Sequence, residues 1–146
     1  MQKVIDEFLK PYNECKIAVY GTGLNAERVV TTVQGYVFDC VISNDENLIG
    51  KEFHGLQICR LDDALKHADI ILIAAIPSAT RIVFERIKDQ VPSDIKIFDL
   101  SGRQLNSPLI YQSNEYWNVR YEEMISEIDD HDIISFDVFD TLLITY

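Results

Sequence analysis

No stretch of this chain approaches the roughly 18 to 20 uninterrupted apolar residues that a membrane span requires. At the N-terminus, Asp6 and Glu7 interrupt the apolar pattern where a secretory signal would carry a charged and then an apolar segment. The expectation is a cytoplasmic protein that engages no membrane. Basic residues are scarce as well: 13 Lys and Arg stand against 24 Asp and Glu, for a formal charge of −11. Affinity for a phosphate backbone depends on clustered Lys and Arg, so no broad contact with nucleic acid is expected. Cysteine is limited to Cys15, Cys40 and Cys59, an odd number without CxxC spacing, each in or beside an apolar run where a small thiol packs well. His54, His67 and His131 form no ligand pair at helical spacing, so no metal site is expected.

What is present is a core. The chain has 146 residues, of which 47% are hydrophobic, enough for one ordinary folded domain with some length to spare. Val4, Ile5, Phe8 and Leu9 recur at a helical interval, and Pro11 implies a first helix stopping near Lys10, placed against the domain edge. Ile17 to Tyr20 is a short apolar run ending in glycine, as expected of a strand buried on both faces of a parallel sheet. Ala26, Val29, Val30 and Val33 then fall at i, i+3, i+4 and i+7 and predict a helix that Gly35 ends.

Tyr36 to Ser43 is the second strand, broken by Asn44-Asp45-Glu46-Asn47. An irregular piece follows between Gly50 and Gly55, then a short strand from Leu56 to Cys59 and a short helix carrying Leu61, Ala64, Leu65 and Ala68. Ile70 to Ala75 is the most strand-like run and is assigned to the centre of the sheet. Ser78 is read as the cap of a helix with Ala79, Ile82, Val83 and Ile87 on its buried face, and Pro92-Ser93-Asp94 turns the chain into a last strand, Ile95 to Leu100. The alternation predicts a three-layer α/β fold around a mainly parallel sheet with right-handed crossovers.

Chemistry concentrates in the turn Gly21-Thr22-Gly23-Leu24-Asn25-Ala26. A strand that ends in G-x-G and runs into a helix presents backbone N–H groups and the positive helix end to a phosphate. Gly21 permits the tight turn, Gly23 the close approach of a pyrophosphate, and Ala26 takes the third small position. A ribose carboxylate belongs about 20 residues further on, at the end of the second strand; Asp45 is the candidate, with Asn44 beside it. Ligands of open α/β sheets bind outside the carboxyl ends of the strands, which adds Ser43, Ala75, Ile76, Pro77 and Ser78. Arg28 and Arg81 are the nearby cations. The competing explanation is that small residues let strand and helix pack closely over an empty crevice, and that Asn-Asp-Glu-Asn is ordinary turn chemistry. No paired carboxylates, Ser/His/Asp set or cysteine with a base occur here, so residues 1–105 are not expected to catalyse a reaction alone.

Tyr20-Gly21-Thr22-Gly23, Val41 to Asp45, Ile49-Gly50-Lys51, Gly55 to Ile58 and Ile71 to Ala75 occur in an order that resembles the small Rossmann-like domains of the NAD- or CoA-binding type, over about residues 14 to 102. Similar domains front bacterial sugar-modifying and polysaccharide-assembly proteins. The resemblance implies a small nucleotide-like ligand: NAD(P), CoA or a nucleotide-sugar.

Beyond Gly102 the pattern changes, and residues 106–146 are assigned to a linker arm and the start of a second domain. Tyr111, Tyr116 and Trp117 are read as anchors of the arm, Tyr121 to Ile128 as a helix and Ile133 to Val138 as a strand. Ile133 to Leu143, with Asp137-Val138-Phe139-Asp140, resembles the first motif of the haloacid dehalogenase-like hydrolases, which implies Asp137 as a catalytic nucleophile. Phe139 stands where phosphatase members carry their second Asp, and the later motifs of that superfamily, including its magnesium-binding carboxylate, do not occur before Tyr146. Magnesium is therefore expected only with a complete hydrolase domain. Three functions follow as expectations: a non-catalytic binding module fronting a larger protein, a hydrolase active only in a full-length chain, and a structural or docking domain with a vestigial crevice. A homodimer is compatible with each.

Overall fold

Apolar runs too short for anything but strands become the inner layer. The computed structural model describes residues 1–107. They comprise α1 (Gln2–Leu9), a 3₁₀ turn (Lys10–Tyr12), β1 (Lys16–Tyr20), α2 (Leu24–Thr32), β2 (Val37–Ile42), β3 (Glu52–Phe53), β4 (Leu56–Cys59), α3 (Leu61–Ala64), β5 (Ile70–Ile73), α4 (Pro77–Ile87) and β6 (Lys96–Asp99). The strands form one sheet in the order β3-β4-β2-β1-β5-β6, parallel throughout except for the β3–β4 hairpin. The chain steps outward from β1 to β2 and β4, then returns across β1 to β5 and β6. The reversal falls between β1 and β5, the switch point of a doubly wound fold.

Alternation along the strands divides the core into two layers. Ile17, Val19, Val41, Ile70, Leu72 and Phe98 face one way, with Ile5 and Leu9 of α1 and Ala26 and Val29 of α2. Ala18, Tyr20, Ile42, Ile71, Ile73 and Ile97 face the other, with Ala64 of α3 and Ile87 of α4. The three-layer α/β arrangement expected of the sequence is the one present. Cys40 is buried and Cys15 and Cys59 are half-buried, all as free thiols. Burial pushes the Cys40 thiol well up from its ordinary value, which keeps it protonated and unreactive. Among the described residues no helix is long and apolar enough to cross a membrane, and no three His, Cys, Asp or Glu side chains converge as metal ligands.

Several elements depart from expectation. β5 is not central: it lies between β1 and β6, while β1 and β2 hold the middle of the order. Its apolar run reports burial on both faces, which any inner strand has, and all four of its residues are buried. Ser78 does not cap α4. Ile76 is the N-cap, Pro77 opens the helix and Ser78 is exposed in the first turn, consistent with proline's preference for that place. The inward face is accordingly Thr80, Val83, Phe84 and Ile87, and Ile82, expected inside, is 61% exposed. Thr80, not among the residues expected on the buried face, donates its hydroxyl to the Ala75 carbonyl at 3.3 Å, which lets it be buried. β3 was unforeseen, and its hairpin turns through His54 and Gly55, both at positive φ. α3 is shorter than expected, although Ala64 and Ala68 are both buried.

α1 is fixed by polar and aromatic contacts. Phe8 lies 5.4 Å from Phe98 of the edge strand, ring centre to ring centre, and Gln2 exchanges hydrogen bonds with the backbone of Gln34. The Tyr36 hydroxyl donates to Asp6 at 2.7 Å, and burial together with that carboxylate pushes the phenol up to about 12. A tyrosine held protonated in the fold contributes stability that is present below its unfolded value near 10 and lost as pH rises through the folded one. Chemical denaturation from about pH 10 to about pH 12 should show a fall in unfolding free energy that is missing from Tyr36→Phe.

The outer edge of β6 is covered by the chain that follows it. Asn106 accepts from the Ile97 amide at 2.9 Å and donates to the Ile95 carbonyl at 2.7 Å. Leu105 N–H donates to the Ile97 carbonyl at 2.8 Å, and Asp99 N–H to the Arg103 carbonyl at 3.1 Å. The segments expected from residue 108 on, with Tyr111, Tyr116, Trp117, the helix Tyr121 to Ile128 and Asp137 in its strand, lie outside the described residues.

Candidate functional site

The glycine turn is tied to both neighbouring strands. Gly21 N–H donates to the Ile42 carbonyl, and Ala74 N–H to the Tyr20 carbonyl, each at 3.0 Å. Gly21 sits at φ +119°, which side chains rarely adopt, whereas a Cβ there would meet only the Ala74 carbonyl at an ordinary 3.5 Å. The requirement for glycine is thus conformational rather than steric. Gly21→Ala should cost about 1 to 3 kcal/mol of stability, measured by urea denaturation.

Gly23 differs. It is the N-cap of α2 in ordinary extended conformation, and nothing lies within 4 Å of where its Cβ would be. Neither backbone nor packing demands glycine there. What its smallness leaves is open space before the first turn of a nine-residue helix that no side chain caps. The first N–H groups of a helix have no partner within it, and the positive end of its dipole lies among them.

Across the switch point α4 begins in the same way. Ile76 caps it without a side-chain hydrogen bond, Pro77 follows, and the Thr80 hydroxyl fixes the preceding turn through Ala75. Because β1 and β5 are paired to their last residues, Tyr20 against Ile73, both helices start from one end of the sheet at adjacent strands. Of the candidate residues, Gly21, Thr22, Gly23, Leu24 and Asn25 follow β1 and Ala75, Pro77 and Ser78 follow β5, at the same end of the sheet. Leu24, the first residue of α2, and Ile76, the N-cap of α4, are 61% and 60% exposed.

Asn44 and Asp45 form a second group. Asp45 Oδ1 accepts from the Asn47 amide at 3.0 Å and from its side chain at 3.1 Å, and Ser43 Oγ accepts from Asp45 N–H. Turn chemistry therefore occupies one oxygen of the expected ribose carboxylate and leaves Oδ2. Asn44 Oδ1 accepts from the Tyr20 hydroxyl. Burial raises the Tyr20 phenol above its ordinary value, against a smaller opposing effect of Arg86, so it keeps the proton it donates.

A cleft of about 210 Å³ opens beyond this turn, over the ends of β2 and β4. Ser43 and Asn44 form one wall, Arg60, Leu61 and Asp62 another, with Glu46 and Gln90 at its margin. Neither the glycine turn nor Asp45 lines it, and the Tyr20–Asn44 hydrogen bond links the end of β1 to it. Arg60, held by Glu46 through Nε at 3.1 Å and through Nη2, is the cation of the cleft. It was missed, although it directly follows a strand just as Gly21 and Ala74 do. Arg28 and Arg81 are exposed on their helices.

No family model matches the chain, and no curated protein does. Among solved structures it is similar to the UDP-D-quinovosamine 4-dehydrogenase of Vibrio fischeri, with 14% identity over 58% of this chain and 76% of that one and a TM-score of 0.46. It is also similar to RSP, a Rex-family repressor, with 12% identity over 88% of this chain and 69% of that one and a TM-score of 0.49. RSP in complex with β-NAD+ and operator DNA gives 11% identity over 88% and 70% of the two chains and a TM-score of 0.45. None of these likenesses carries a ligand or a partner across to this chain.

Proposed function

We propose that residues 1–105 form a non-catalytic nucleotide-binding module whose ligand is a dinucleotide such as NAD(P) or a nucleotide-sugar. The observation that carries this reading is the pair of uncapped helix starts, at Gly23 and Ile76, flanking one switch-point crevice with open space before Gly23. Two sets of unpaired N–H groups and two positive helix ends favour a diphosphate there. Asn44 and the remaining oxygen of Asp45 lie on the side where a ribose would extend, at the end of β2. In a chain with an excess of acid, such backbone donors bind an anion without requiring a cationic side chain.

The test is a thermal shift with NAD, a UDP-sugar, CoA and inorganic pyrophosphate in separate titrations. A saturable rise in Tm with at least one nucleotide supports the reading; no shift with any of them overturns it. The wider reading, that this module fronts a hydrolase-like or polysaccharide-biosynthesis protein with Asp137 as nucleophile, rests on the motif at residues 133–143. It is tested by whether the reading frame continues into the missing motifs.

A further inference from the structure

We infer that Tyr20 is a positioning residue for the nucleoside half of the ligand: its hydroxyl fastens the turn that carries Asn44 and Asp45 to the end of β1, where the glycine turn begins. The inference rests on the nucleotide reading above. It assigns the residue that relates the two halves of that site, the phosphate end at Gly23 and the ribose end at Asp45.

The backbone leaves the Asn44–Asp45 turn loosely attached. Ser43 N–H still donates to the Cys59 carbonyl at 3.1 Å, extending the pairing of β2 with β4. Beyond it the bonds are internal: Asp45 N–H to Ser43 Oγ, Asn47 to Asp45 Oδ1, and Leu48 N–H to the Asp45 carbonyl at 2.9 Å. These bonds make the turn a unit and hold the Asp45 carboxylate within it, but they do not fix where the unit lies. Among the described residues, side-chain hydrogen bonds reach from Asn44 to Tyr20 and from Glu46 to Arg60. Glu46 and Arg60 are 68% and 56% exposed, and an ion pair in that setting contributes little.

Tyr20 is the firmer of the two attachments. It is the last residue of β1, only 5% exposed, with its ring in the core layer of Ile42, Ala64 and Ile73. Its carbonyl accepts from Ala74 N–H and the following amide, Gly21 N–H, donates to the Ile42 carbonyl, so the chain on either side is fixed to β5 and to β2. A hydroxyl on a ring so placed has little freedom, and leaving a buried donor unpaired costs more than the bond itself contributes. Asn44 is thereby held to it. One residue ties together the exits of β1, β2 and β5, and in a doubly wound sheet the phosphates and the ribose of a dinucleotide bind at those exits. A side chain this buried offers a ligand little surface of its own, so loss of its oxygen acts on binding through the turn.

The test is calorimetric titration of the full chain with NAD, UDP-glucose and inorganic pyrophosphate. The tighter nucleotide and pyrophosphate are then titrated into Tyr20→Phe, Asp45→Ala and the double variant. Pyrophosphate supplies the phosphates without the ribose. Tyr20→Phe should weaken the nucleotide about tenfold and leave pyrophosphate within about twofold, a split that a general loosening of the fold would not produce. In the Asp45→Ala background the same change should weaken the nucleotide by less than about twofold, because the carboxylate it positions is gone. Nucleotide affinity unchanged in Tyr20→Phe, an equal loss for pyrophosphate, or additive losses in the double variant overturns the inference and leaves the nucleotide reading in place. Failure of both nucleotides to bind the unmodified chain brings down that reading and the inference with it.

Discussion

Gly23→Asp is expected to raise Tm and abolish ligand binding at once. Aspartate is a favoured N-cap, and its carboxylate would accept from the unpaired N–H groups of α2 while opposing the positive end of the helix dipole. The position tolerates a side chain, because its backbone is extended and nothing lies within 4 Å of the added Cβ. The gain should be about 0.5 kcal/mol, or roughly 2 to 4 °C in Tm. A diphosphate in the crevice would meet the new carboxylate instead of backbone donors. Like charges placed together cost several kcal/mol, so affinity should fall by about a hundredfold or more. Thermal melting with and without ligand reads both effects. A chain stabilised by the substitution that still bound its nucleotide would place the phosphate elsewhere.

Gly102→Ala should have the largest effect on stability, with no ligand involved. Gly102 has φ +89°, and a Cβ there would lie 2.7 Å from Cδ1, 3.0 Å from Cγ and 3.2 Å from Cβ of Phe8. The near end of the ring is involved as well as its rim, so a small rotation cannot clear the contact. Phe8 must shift, and with it the stacking on Phe98 that seats α1 on the edge strand. Left-handed backbone costs about 1 to 2 kcal/mol and overpacking about 1 to 3, so a loss of about 2 to 4 kcal/mol is expected in urea denaturation. Protease susceptibility around Lys10 should rise in parallel as α1 loosens. A loss below about 1 kcal/mol would mean that Phe8 is less firmly seated than its contacts imply.

The two predictions concern glycines that look alike in sequence and differ in structure, which shows how far the sequence could be read. Strands β1 and β5 are legible because a parallel strand covered on both faces needs a continuous apolar run, and few other local structures do. Place in the sheet is not legible, since burial on both faces is shared by every inner strand; β5 was misplaced for that reason. The phase of α4 depended on which residue capped it. Pro77 at the first helical position moved the inward face onto Thr80 and Phe84, and a buried threonine is recognisable only once the Ala75 carbonyl is seen to accept its proton.

For the candidate site, the glycine turn was legible because a positive-φ residue between a strand and a helix leaves its mark in residue type. That the backbone requires glycine at position 21 and not at 23 was not, because that depends on φ and on what surrounds each Cβ. Arg60 and the Tyr20 hydroxyl were missed for a related reason. Their significance arises from a strand pairing that brings the exits of β1, β2 and β4 together, and no local pattern around Arg60 records that neighbourhood.

The closure of the β6 edge bears on how copies of this chain could meet. Residues 103–106 occupy the hydrogen-bonding positions that a visiting strand would use, partly with the side chain of Asn106 standing in for a peptide group. At the opposite margin β3 offers only two residues, too little for a durable ladder. Among the described residues, neither rim offers a long unpaired ladder to a second molecule. A strand added beside β6 would first have to displace residues 103–106 from its edge.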